Sequence, residues 1–398
     1  MSKKIYALLD KAIDNLKAGG LFKPEFVVNS AQGREIKIGT KTYLNFSSDD
    51  FLGLANSDRI QRAAIRYVQE HGNGLASPRI ITGTQKIHQE FEEDIAEFFK
   101  KDSAMIFTSQ YDACLGLFES LFNEQDFIFC DTYAHPSLID GIYKTPAQKL
   151  FYLRNILGDL EDQLKRSPRA RFRVIVTEGV YAMDGQTAHL EEICKLAADY
   201  DALVFLNDSL GVGVLGETGR GTAEFAKVLD KVDLITGGFS HGLSGIDLGY
   251  IAANESVIDW LKQNSKPYSY STAPAPMAVG AAQEALRAIP EMTDARTRVI
   301  ENSRVLRAKL GQSGYNVTKG PHPIISVITY EAVKTQKLMD SLLDEGIFAI
   351  GLCYPLVPKG FARVRLQLNV SHIDDDIRHV VSTFEKYGEK HKILKKGG

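Results

Sequence analysis

The chain has 398 residues, of which 44% are hydrophobic, 24% charged and 9% aromatic, a balance typical of a globular protein and not of a disordered or fibrous one. The length allows a large core and suggests about two domains. The 47 basic and 50 acidic residues leave a formal net charge of -3, so no global field favours nucleic acid or an anionic membrane. We therefore expect no nucleic-acid partner, and any anionic ligand must be bound locally.

The N-terminus and the cysteines indicate a cytoplasmic protein. Residues 1–20 carry charges at helical spacing and lack the apolar stretch of a secretory signal, and no run reaches the ~18 apolar residues that a membrane span needs. The four cysteines, Cys114, Cys130, Cys194 and Cys353, form no CxxC pair. This spacing argues against a zinc site and against a disulfide framework, so we predict no metal.

The chain begins with a predicted amphipathic helix. Apolar side chains recur on one face of residues 1–20, at Ile5, Leu8, Leu9, Ile13 and Leu16. Short strands are predicted around residues 35–38 and 42–46. We therefore expect an N-terminal helix and arm over residues 1–55.

From residue 57 onward, short apolar runs alternate with helix-like segments. Near-continuous apolar strands separated by helices are typical of a mostly parallel sheet that is covered on both faces. The pattern predicts a doubly wound α/β domain over residues 56–290. The predicted strands are residues 104–108, 126–130, 149–153, 172–177, 202–206, 233–236 and 248–252.

The last third of the chain has a different order of predicted helices and strands. Helices are predicted at residues 277–289 and 293–312, and then strands and helices follow in an irregular order. The predicted elements are a strand at 324–329, a helix at 335–345, a strand at 362–369 and a helix at 374–385. This order favours a small C-terminal α+β domain over residues 291–398.

Several sequence strings resemble one enzyme family. They are FLGLAN at 51–56, GNGLASPRIITGTQKIHQEFE at 72–92, AHPSLIDG at 134–141, EGVYAMDG at 178–185, GVGVLGETGRG at 211–221 and YPLVPKGFARVRLQ at 354–367. Together they are similar to the α-oxoamine synthases, from the N-terminal arm to the last helix. The resemblance implies the fold-type I aminotransferase-like architecture and a homodimer with the active site at the subunit interface. It also implies pyridoxal phosphate (PLP) as cofactor and condensation of an amino acid with an acyl-CoA.

The resemblance assigns roles to residues that this chain retains. His135 matches the histidine that stacks on the cofactor ring, and the turn at Ser109, Gln110 and Tyr111 matches the phosphate-binding start of a helix, where backbone N–H groups attract an anion. Four further residues match substrate positions: Ser77 and Arg79 lie near the substrate entrance, Arg365 grips the substrate carboxylate, and Lys23 lies where relatives receive the acyl-CoA.

Other positions depart from the family pattern. His241 stands where the family has the lysine that forms a Schiff base with PLP, and imidazole cannot form that bond. Asn207 replaces the aspartate that pairs with the pyridine nitrogen, and Leu210 replaces a histidine that touches the cofactor. Asp208 does not repair this loss, because strand alternation points its side chain to the opposite face.

Three smaller changes lie at further family positions. Gly238 replaces a hydroxyl residue that helps to hold the phosphate, and Ala182 replaces a serine. Asp50 replaces an asparagine that contacts the amino-acid carboxylate, and two anions in a partly desolvated pocket repel each other.

These departures lead to the interpretation that the PLP site is dismantled and that the chain uses no cofactor. The sequence then favours a PLP-independent acyltransferase that moves an acyl group from an acyl-CoA or acyl-carrier thioester onto an amine, hydroxyl or carbon nucleophile. His241 or His135 is the predicted general base, because imidazole titrates near neutral pH. The alternative is a non-catalytic partner subunit that completes the interface of a lysine-bearing paralogue.

Simpler interpretations of the same residues remain open. His241 is equally explained as a side chain that fills a decommissioned pocket. Cys114 could carry an acyl group, but its apolar neighbours favour a buried structural thiol. A Ser–His–Asp triad from Asp208, Ser209 and His241 is disfavoured, because adjacent strand residues face opposite ways.

Overall fold

The computed structural model describes residues 3–19, 22, 25–167 and 170–394. The strands are β1 (Glu35–Ile38), β2 (Lys41–Asn45), β3 (Ser103–Phe107), β4 (Phe127–Asp131), β5 (Gln148–Tyr152), β6 (Arg173–Glu178), β7 (Leu203–Asn207), β8 (Leu234–Gly238), β9 (Gly249–Ala253), β10 (Asn316–Val317), β11 (Ile324–Tyr330), β12 (Ile347–Phe348), β13 (Ile350–Leu352) and β14 (Ala362–Gln367). The longer helices are α1 (Lys3–Ala18), α2 (Asp58–His71), α4 (Lys86–Phe99), α5 (Gln110–Leu121), α6 (Pro136–Lys144), α7 (Leu157–Lys165), α8 (Leu190–Asp199), α10 (Glu255–Asn264), α12 (Pro276–Ala288), α13 (Thr293–Gln312), α14 (Ala332–Asp344) and α15 (Asp374–Lys390). The short helices are α3 (Arg79–Thr82), α9 (Thr222–Phe225) and α11 (Lys266–Tyr270), with a 3₁₀ turn at Ile289–Glu291.

A seven-stranded sheet forms the centre of the larger of two compact units, residues 49–300 and 320–322. Its strand order is β3-β9-β8-β7-β6-β4-β5, and only the pairs β3–β9 and β8–β9 are antiparallel. Each strand coincides within a residue or two with one of the seven predicted apolar runs. The prediction of a doubly wound, mostly parallel sheet is therefore confirmed.

The sheet is buried on both faces because helices cover each side. Phe91, Phe99 and Ile175 belong to one apolar cluster, whereas Leu117 and Val174 belong to the other. Ile175 and Val174 are neighbours on β6, and their side chains point to opposite faces of the sheet. Alternate side chains of this strand therefore pack into the two different clusters. This two-sided burial explains why the strands read as continuous apolar runs in the sequence.

The bounds of the smaller unit are residues 1–48, 301–319 and 323–398. An antiparallel sheet in the order β10-β11-β14-β13 lies in it, and a second sheet has the order β1-β2-β12. In that second sheet β12 pairs in parallel with β2. The N-terminal strands therefore share a sheet with residues from the C-terminal part of the chain.

This pairing differs from the predicted division into an arm over residues 1–55 and a separate domain over residues 291–398. The Arg34 guanidinium binds the Asp376 carboxylate through two hydrogen bonds of 2.8 Å, and the ring of Phe46 stacks on His372 at 4.1 Å. These contacts join segments more than 300 residues apart in the chain. No local pattern could have revealed them, because each partner alone resembles an ordinary surface position.

A glycine allows β9 to approach the start of α5. A Cβ atom at Gly249 would lie 2.3 Å from the carbonyl oxygen of Ser109, which is the residue that precedes α5. Real Cβ atoms do not approach backbone so closely, so a larger residue must push the turn away from the strand. The position of the α5 N-terminus thus depends on the absence of a side chain at residue 249.

We predict that Gly249→Ala lowers the free energy of unfolding by about 1–3 kcal/mol, the usual cost of overpacking a tightly packed site. Urea unfolding followed by circular dichroism measures this change. Gly33→Ala is the matched control, because a Cβ atom there meets nothing within 4 Å. Equal stability of the two variants would contradict the proposed close approach.

Candidate functional site

Three neighbouring parallel strands bring polar side chains together at their carboxyl ends. β6 ends at Glu178, β7 ends at Asn207, and the segment after β4 carries His135. Glu178 Oε1 accepts a hydrogen bond of 2.7 Å from the backbone N–H of His135, and Oε2 accepts one of 2.9 Å from Asn207 Nδ2. The carboxyl edge of an open α/β sheet is where such folds bind ligands. These residues therefore form the base of a candidate active site.

His135 is held by the first turn of α6. Its Nδ1 lies 2.8 Å from Ser137 Oγ and accepts a hydrogen bond from the Ser137 backbone N–H. The neutral ring therefore carries its proton on Nε2. Desolvation of the ring and the nearby His241 both lower the pKa of His135, although the residue as a whole is exposed. The ring is thus a neutral hydrogen-bond donor at physiological pH.

His241 is paired with a carboxylate. It lies three residues after the end of β8, and its Nδ1 is 3.0 Å from Asp49 Oδ2. The backbone N–H of Gly242 also donates to the Asp49 carbonyl oxygen at 2.9 Å, which fixes the turn against Asp49. Within the described parts of the chain, Nε2 of His241 has no hydrogen-bond partner. His241 also lowers the pKa of His135, so the two imidazoles lie close enough to interact electrostatically.

Asn207 and Asp208 point to opposite sides, as strand alternation requires. Asn207 Oδ1 accepts a hydrogen bond of 2.9 Å from Ser209 Oγ on the side of Glu178. The Asp208 carboxylate instead accepts hydrogen bonds of 2.5 Å and 2.7 Å from the backbone and hydroxyl of Thr222, and burial raises its pKa to about 6. Asp208 therefore holds the loop that leads to α9.

The turn that the sequence predicts to bind an anion lies at the start of α5. Ser109 is the N-cap residue, and its Oγ accepts a hydrogen bond from the Asp112 backbone at 3.0 Å. The first backbone N–H groups of the helix, at Gln110 and Tyr111, have no hydrogen-bond partner in the described structure, as at any helix N-terminus. Gly238 lies against this turn, because a Cβ atom there would be 3.1 Å from the Gln110 Cβ.

The side chains around this turn are already engaged. Gln110 Nε2 donates to Ser137 Oγ at 3.3 Å, which links α5 to the His135 turn. The Tyr111 hydroxyl is bound to Asp140. Cys114 is fully buried, and burial raises the pKa of its thiol to about 12. A thiol with so high a pKa is a poor nucleophile, which favours the structural interpretation of Cys114.

Two predicted substrate residues have structural partners. Arg79 is buried and forms hydrogen bonds of 2.5 Å and 3.0 Å with the Glu92 carboxylate, while Glu92 also accepts the backbone N–H of Ile106. Asp50 is buried too, and its carboxylate accepts the backbone N–H of Ala55 at 3.0 Å. The Asp50 carboxylate therefore helps to hold the turn before α2.

The remaining predicted positions are placed as follows. Ser77 precedes α3, and its carbonyl accepts a hydrogen bond from Ala273. Leu210 is buried, and its carbonyl oxygen lies 2.9 Å from His322 Nε2. Ala182 is half-buried in the turn after β6, and Arg365 lies on β14 of the smaller unit. Lys23 lies outside the described residues. The roles of Ser77, Arg365 and Lys23 in substrate binding stay predictions.

Two site residues escaped the sequence analysis. Glu178 directly follows the predicted strand at residues 172–177 and opens the string EGVYAMDG, so its place beside a strand end was a usable signal. Asp49 is 192 positions from His241, and only the fold joins them. Across the described residues there is no group of three or more His, Cys, Asp or Glu side chains that could hold a metal ion. Nor is any helix of that part of the chain long and apolar enough to cross a membrane.

Comparisons with known proteins identify the family. The family model for aminotransferase class I and II matches residues 41–384. The chain belongs to this family. It is 38% identical to the 2-amino-3-ketobutyrate coenzyme A ligase of Escherichia coli K12, over 99% of this chain and 100% of that enzyme. It is 36% identical to the 8-amino-7-oxononanoate synthase of Petrotoga mobilis, over 96% of this chain and 98% of that enzyme.

Solved structures agree with this assignment. The serine palmitoyltransferase of Sphingomonas wittichii superposes with a TM-score of 0.92, at 26% identity, and the match covers 98% of this chain and 99% of that chain. The fold-type I aminotransferase-like architecture is thereby confirmed. The two relatives named above are α-oxoamine synthases, as the sequence strings indicated.

The prediction that the chain uses no cofactor is wrong. It is contradicted by membership of this aminotransferase family and by 38% identity, over 99% of the chain, to an α-oxoamine synthase; the cofactor of these enzymes is PLP. The error lay in equating the Schiff-base lysine with the whole binding site. A serine palmitoyltransferase from S. paucimobilis with a lysine replaced by alanine, which has the same fold at 24% identity, is described with a bound PLP–myriocin aldimine. Covalent attachment is only one part of how such a site holds a cofactor.

The residues of this chain fit a cofactor phosphate and ring. The turn at Ser109–Tyr111 presents the backbone N–H groups of a helix start, which would hold a phosphate, and the close approach of Gly249 keeps that turn in place. His135 lies beyond it, tied to Gln110 through Ser137. Position 241 carries histidine, so the fit concerns noncovalent contacts only.

The pH dependence of stability tests the burial of Glu178. Burial raises the pKa of this carboxyl from 4.5 to about 8, with Asp131 and Asp208 adding to the rise. Between these two values the unfolded chain has lost the proton that the folded chain retains. We therefore predict that Glu178 makes the free energy of unfolding fall with rising pH over this window, by up to about 1.4 kcal/mol per pH unit.

Urea unfolding at a series of pH values measures this slope. Glu178→Gln should reduce the fall, because the amide does not titrate. Glu217→Gln, at an exposed carboxylate, serves as the control and should keep the slope of the unmodified protein. An unchanged slope in Glu178→Gln would show that Glu178 titrates normally in the folded chain.

Proposed function

We propose that this chain is an acyltransferase of the α-oxoamine synthase type, which moves an acyl group from an acyl-CoA or acyl-carrier thioester onto an amine, hydroxyl or carbon nucleophile. The observation that supports it is the His241–Asp49 pair, whose Nε2 is available beside His135. The relatives named 2-amino-3-ketobutyrate coenzyme A ligase agree with an acyl-CoA-type substrate. We assign His241 as the general base.

The hydrogen bonds distinguish the two histidines. Asp49 holds Nδ1 of His241 as a proton donor, which leaves the Nε2 lone pair as a base, the arrangement that activates nucleophiles in other acyl-transfer enzymes. Nδ1 of His135 instead accepts from Ser137, so its Nε2 carries the proton. His135 is therefore suited to donate a hydrogen bond to the thioester carbonyl oxygen, and His241 to accept a proton.

The proposed transfer balances without an external acid. His241 Nε2 takes the proton from the nucleophile as the nucleophile attacks the thioester carbonyl carbon. The carbon–sulfur bond breaks, and the same imidazole returns its proton to the departing thiolate. The products are the acylated acceptor and the free thiol of CoA or of the carrier.

We further propose that PLP is held noncovalently, because position 241 lacks the family lysine. Ser109, Gln110 and Tyr111 hold the phosphate through backbone N–H groups, and His135 lies against the ring. PLP, when bound, supplies electron withdrawal to an amino-acid acceptor. Gly238, Ala182, Asn207 and Leu210 then line a neutral site in place of the polar family residues.

The exposed face of α1 supports a homodimer. Every side chain of this helix is exposed in the isolated chain, including the apolar set Ile5, Leu8, Leu9, Ile13 and Leu16. A helix with an unburied apolar face requires a partner surface. We propose that a second copy of the chain covers it, and that the active site is completed there.

Release of free thiol tests the acyltransferase. We expect acetyl-, octanoyl- or palmitoyl-CoA with glycine or ethylamine to yield CoA and an acylated product, detected by a thiol reagent and by mass spectrometry. His241→Ala should lower the rate by about 10²–10⁴-fold, the contribution typical of a general base, and Asp49→Asn by less. His189→Ala, at an exposed histidine before α8, should have no effect.

A second outcome would reverse this assignment. If no acyl product forms and the chain co-purifies with a lysine-bearing paralogue, the acyltransferase proposal fails and the chain is the non-catalytic partner subunit.

Borohydride reduction tests noncovalent PLP binding. We expect the unmodified protein to bind added PLP, to lose it on dialysis, and to gain no mass after reduction. His241→Lys should gain the mass of a covalently attached pyridoxyl group, because the amine then lies at the family position. Covalent attachment in the unmodified protein, or no PLP binding by either protein, would contradict the proposal.

A further inference from the structure

Glu178 joins the two sides of the proposed site through a single buried carboxyl. It is only 7% exposed, and its oxygens bind the His135 backbone at 2.7 Å and the Asn207 side chain at 2.9 Å. Asn207 is in turn bound to Ser209 at 2.9 Å. A continuous hydrogen-bond chain therefore runs from α6 through the end of β6 to the segment after β7.

We propose that Glu178 is a positioning residue whose proton sets the orientation of the Asn207 amide, and thereby decides whether the Ser209 hydroxyl is free to donate a hydrogen bond into the site. This inference rests on the proposed acyltransferase, because it assigns a use to the carboxyl edge of the same sheet. It concerns side chains to which the sequence analysis gave no such role.

The ionised state has one consistent pattern of donors and acceptors. Both Glu178 oxygens accept, so Asn207 must turn Nδ2 towards Oε2. Asn207 Oδ1 then faces Ser209 and receives its hydroxyl proton. In this state the hydroxyl has already donated its only proton to Asn207.

Protonation reverses that pattern. The His135 backbone N–H can only donate, so Oε1 stays an acceptor and the new proton resides on Oε2. Oε2–H must now donate to an oxygen, which requires the Asn207 amide to rotate by half a turn and present Oδ1. Nδ2 then donates to Ser209 Oγ, and the Ser209 proton is released to a ligand. The proton comes from solvent, and no covalent bond other than O–H changes.

The groups around Glu178 favour the proton at neutral pH. Burial opposes the charge, and Asp131 at the end of β4 and Asp208 after β7 add negative potential. The His135 N–H and the Asn207 amide favour the charge but do not outweigh burial. The thiols of Cys114 and Cys130 and the phenol of Tyr152 also face this region, and their pKa values are raised, so they remain neutral. The exchange therefore falls in the mildly alkaline range, with Glu178 titrating at about 8.

The consequence for the reaction is a donor that is present only below this midpoint. Ser209 lies at the carboxyl edge beside Asn207, where a carbonyl oxygen or an anionic group of a substrate or cofactor needs hydrogen-bond donors. As Glu178 ionises, Asn207 takes back the Ser209 proton and the donor is lost. Acyl transfer should therefore decline above about pH 8, by about tenfold per pH unit when the ionised form is inactive.

Infrared difference spectroscopy on the purified full chain tests the proposal without requiring activity. Titration across the midpoint should remove a protonated-carboxyl band and shift one asparagine amide band at the same pH. Growth on ¹³C-labelled asparagine identifies the amide band in the unmodified protein, so the test does not depend on a variant that folds. In Glu178→Gln both changes should vanish, whereas the control Glu217→Gln should retain them.

The pH dependence of the acyl-transfer rate is the second test of the proposal. Glu178→Gln mimics the protonated state, because its amide donates to Asn207 Oδ1 while its oxygen accepts from His135, so the shape of its pH–rate profile should lose the alkaline decline. A carboxyl band that survives in Glu178→Gln, or an asparagine band that does not follow the titration, overturns the proposal. If both bands behave as expected and no thiol is released from acyl-CoA, the acyltransferase proposal fails and the Glu178–Asn207 exchange stands.

Discussion

The site depends on one geometric constraint, the meeting of parallel strand ends at a single edge of the sheet. β4, β6 and β7 run side by side, so the residues that follow them emerge together. Glu178 converts this proximity into a fixed arrangement, because its two oxygens bind the backbone at His135 and the side chain of Asn207. Without a buried acceptor between them, the α6 turn and the end of β7 would have no polar connection here.

Burial makes the ionised form of the Glu178 carboxyl energetically unfavourable. A carboxyl that is 7% exposed and close to Asp131 and Asp208 is costly to ionise, and hydrogen bonds from neutral donors offset only part of the cost. Burial also raises the pKa values of structural groups such as Tyr152 and Tyr250, so a raised pKa alone does not locate a site. The hydrogen bonds to His135 and Asn207 are what connect Glu178 to the proposed site.

In the proposed function, histidine at position 241 stands where the family pattern has its lysine. A lysine there would attach a cofactor, whereas the imidazole is held by Asp49 and leaves one nitrogen available. The sequence comparison exposed the substitution but led to the wrong conclusion that cofactor binding was lost. In the proposed function, the helix start at Ser109 and the ring of His135 make separate contributions to cofactor binding. The loss of one interaction does not remove the others.

The sequence by itself determined the fold class. Strands that are buried on both faces appear as apolar runs, and each of the seven predicted runs is a strand of the sheet. It also singled out His135, His241 and the start of α5 as candidate positions, because they match or depart from the family pattern. Only the tertiary structure decided which side chains have partners. Arg79 is bound to Glu92, Asp50 to a turn, and His241 to an aspartate 192 residues away. Such pairs depend on which distant segments of the chain meet in the fold, and the local periodicity of the sequence does not show this.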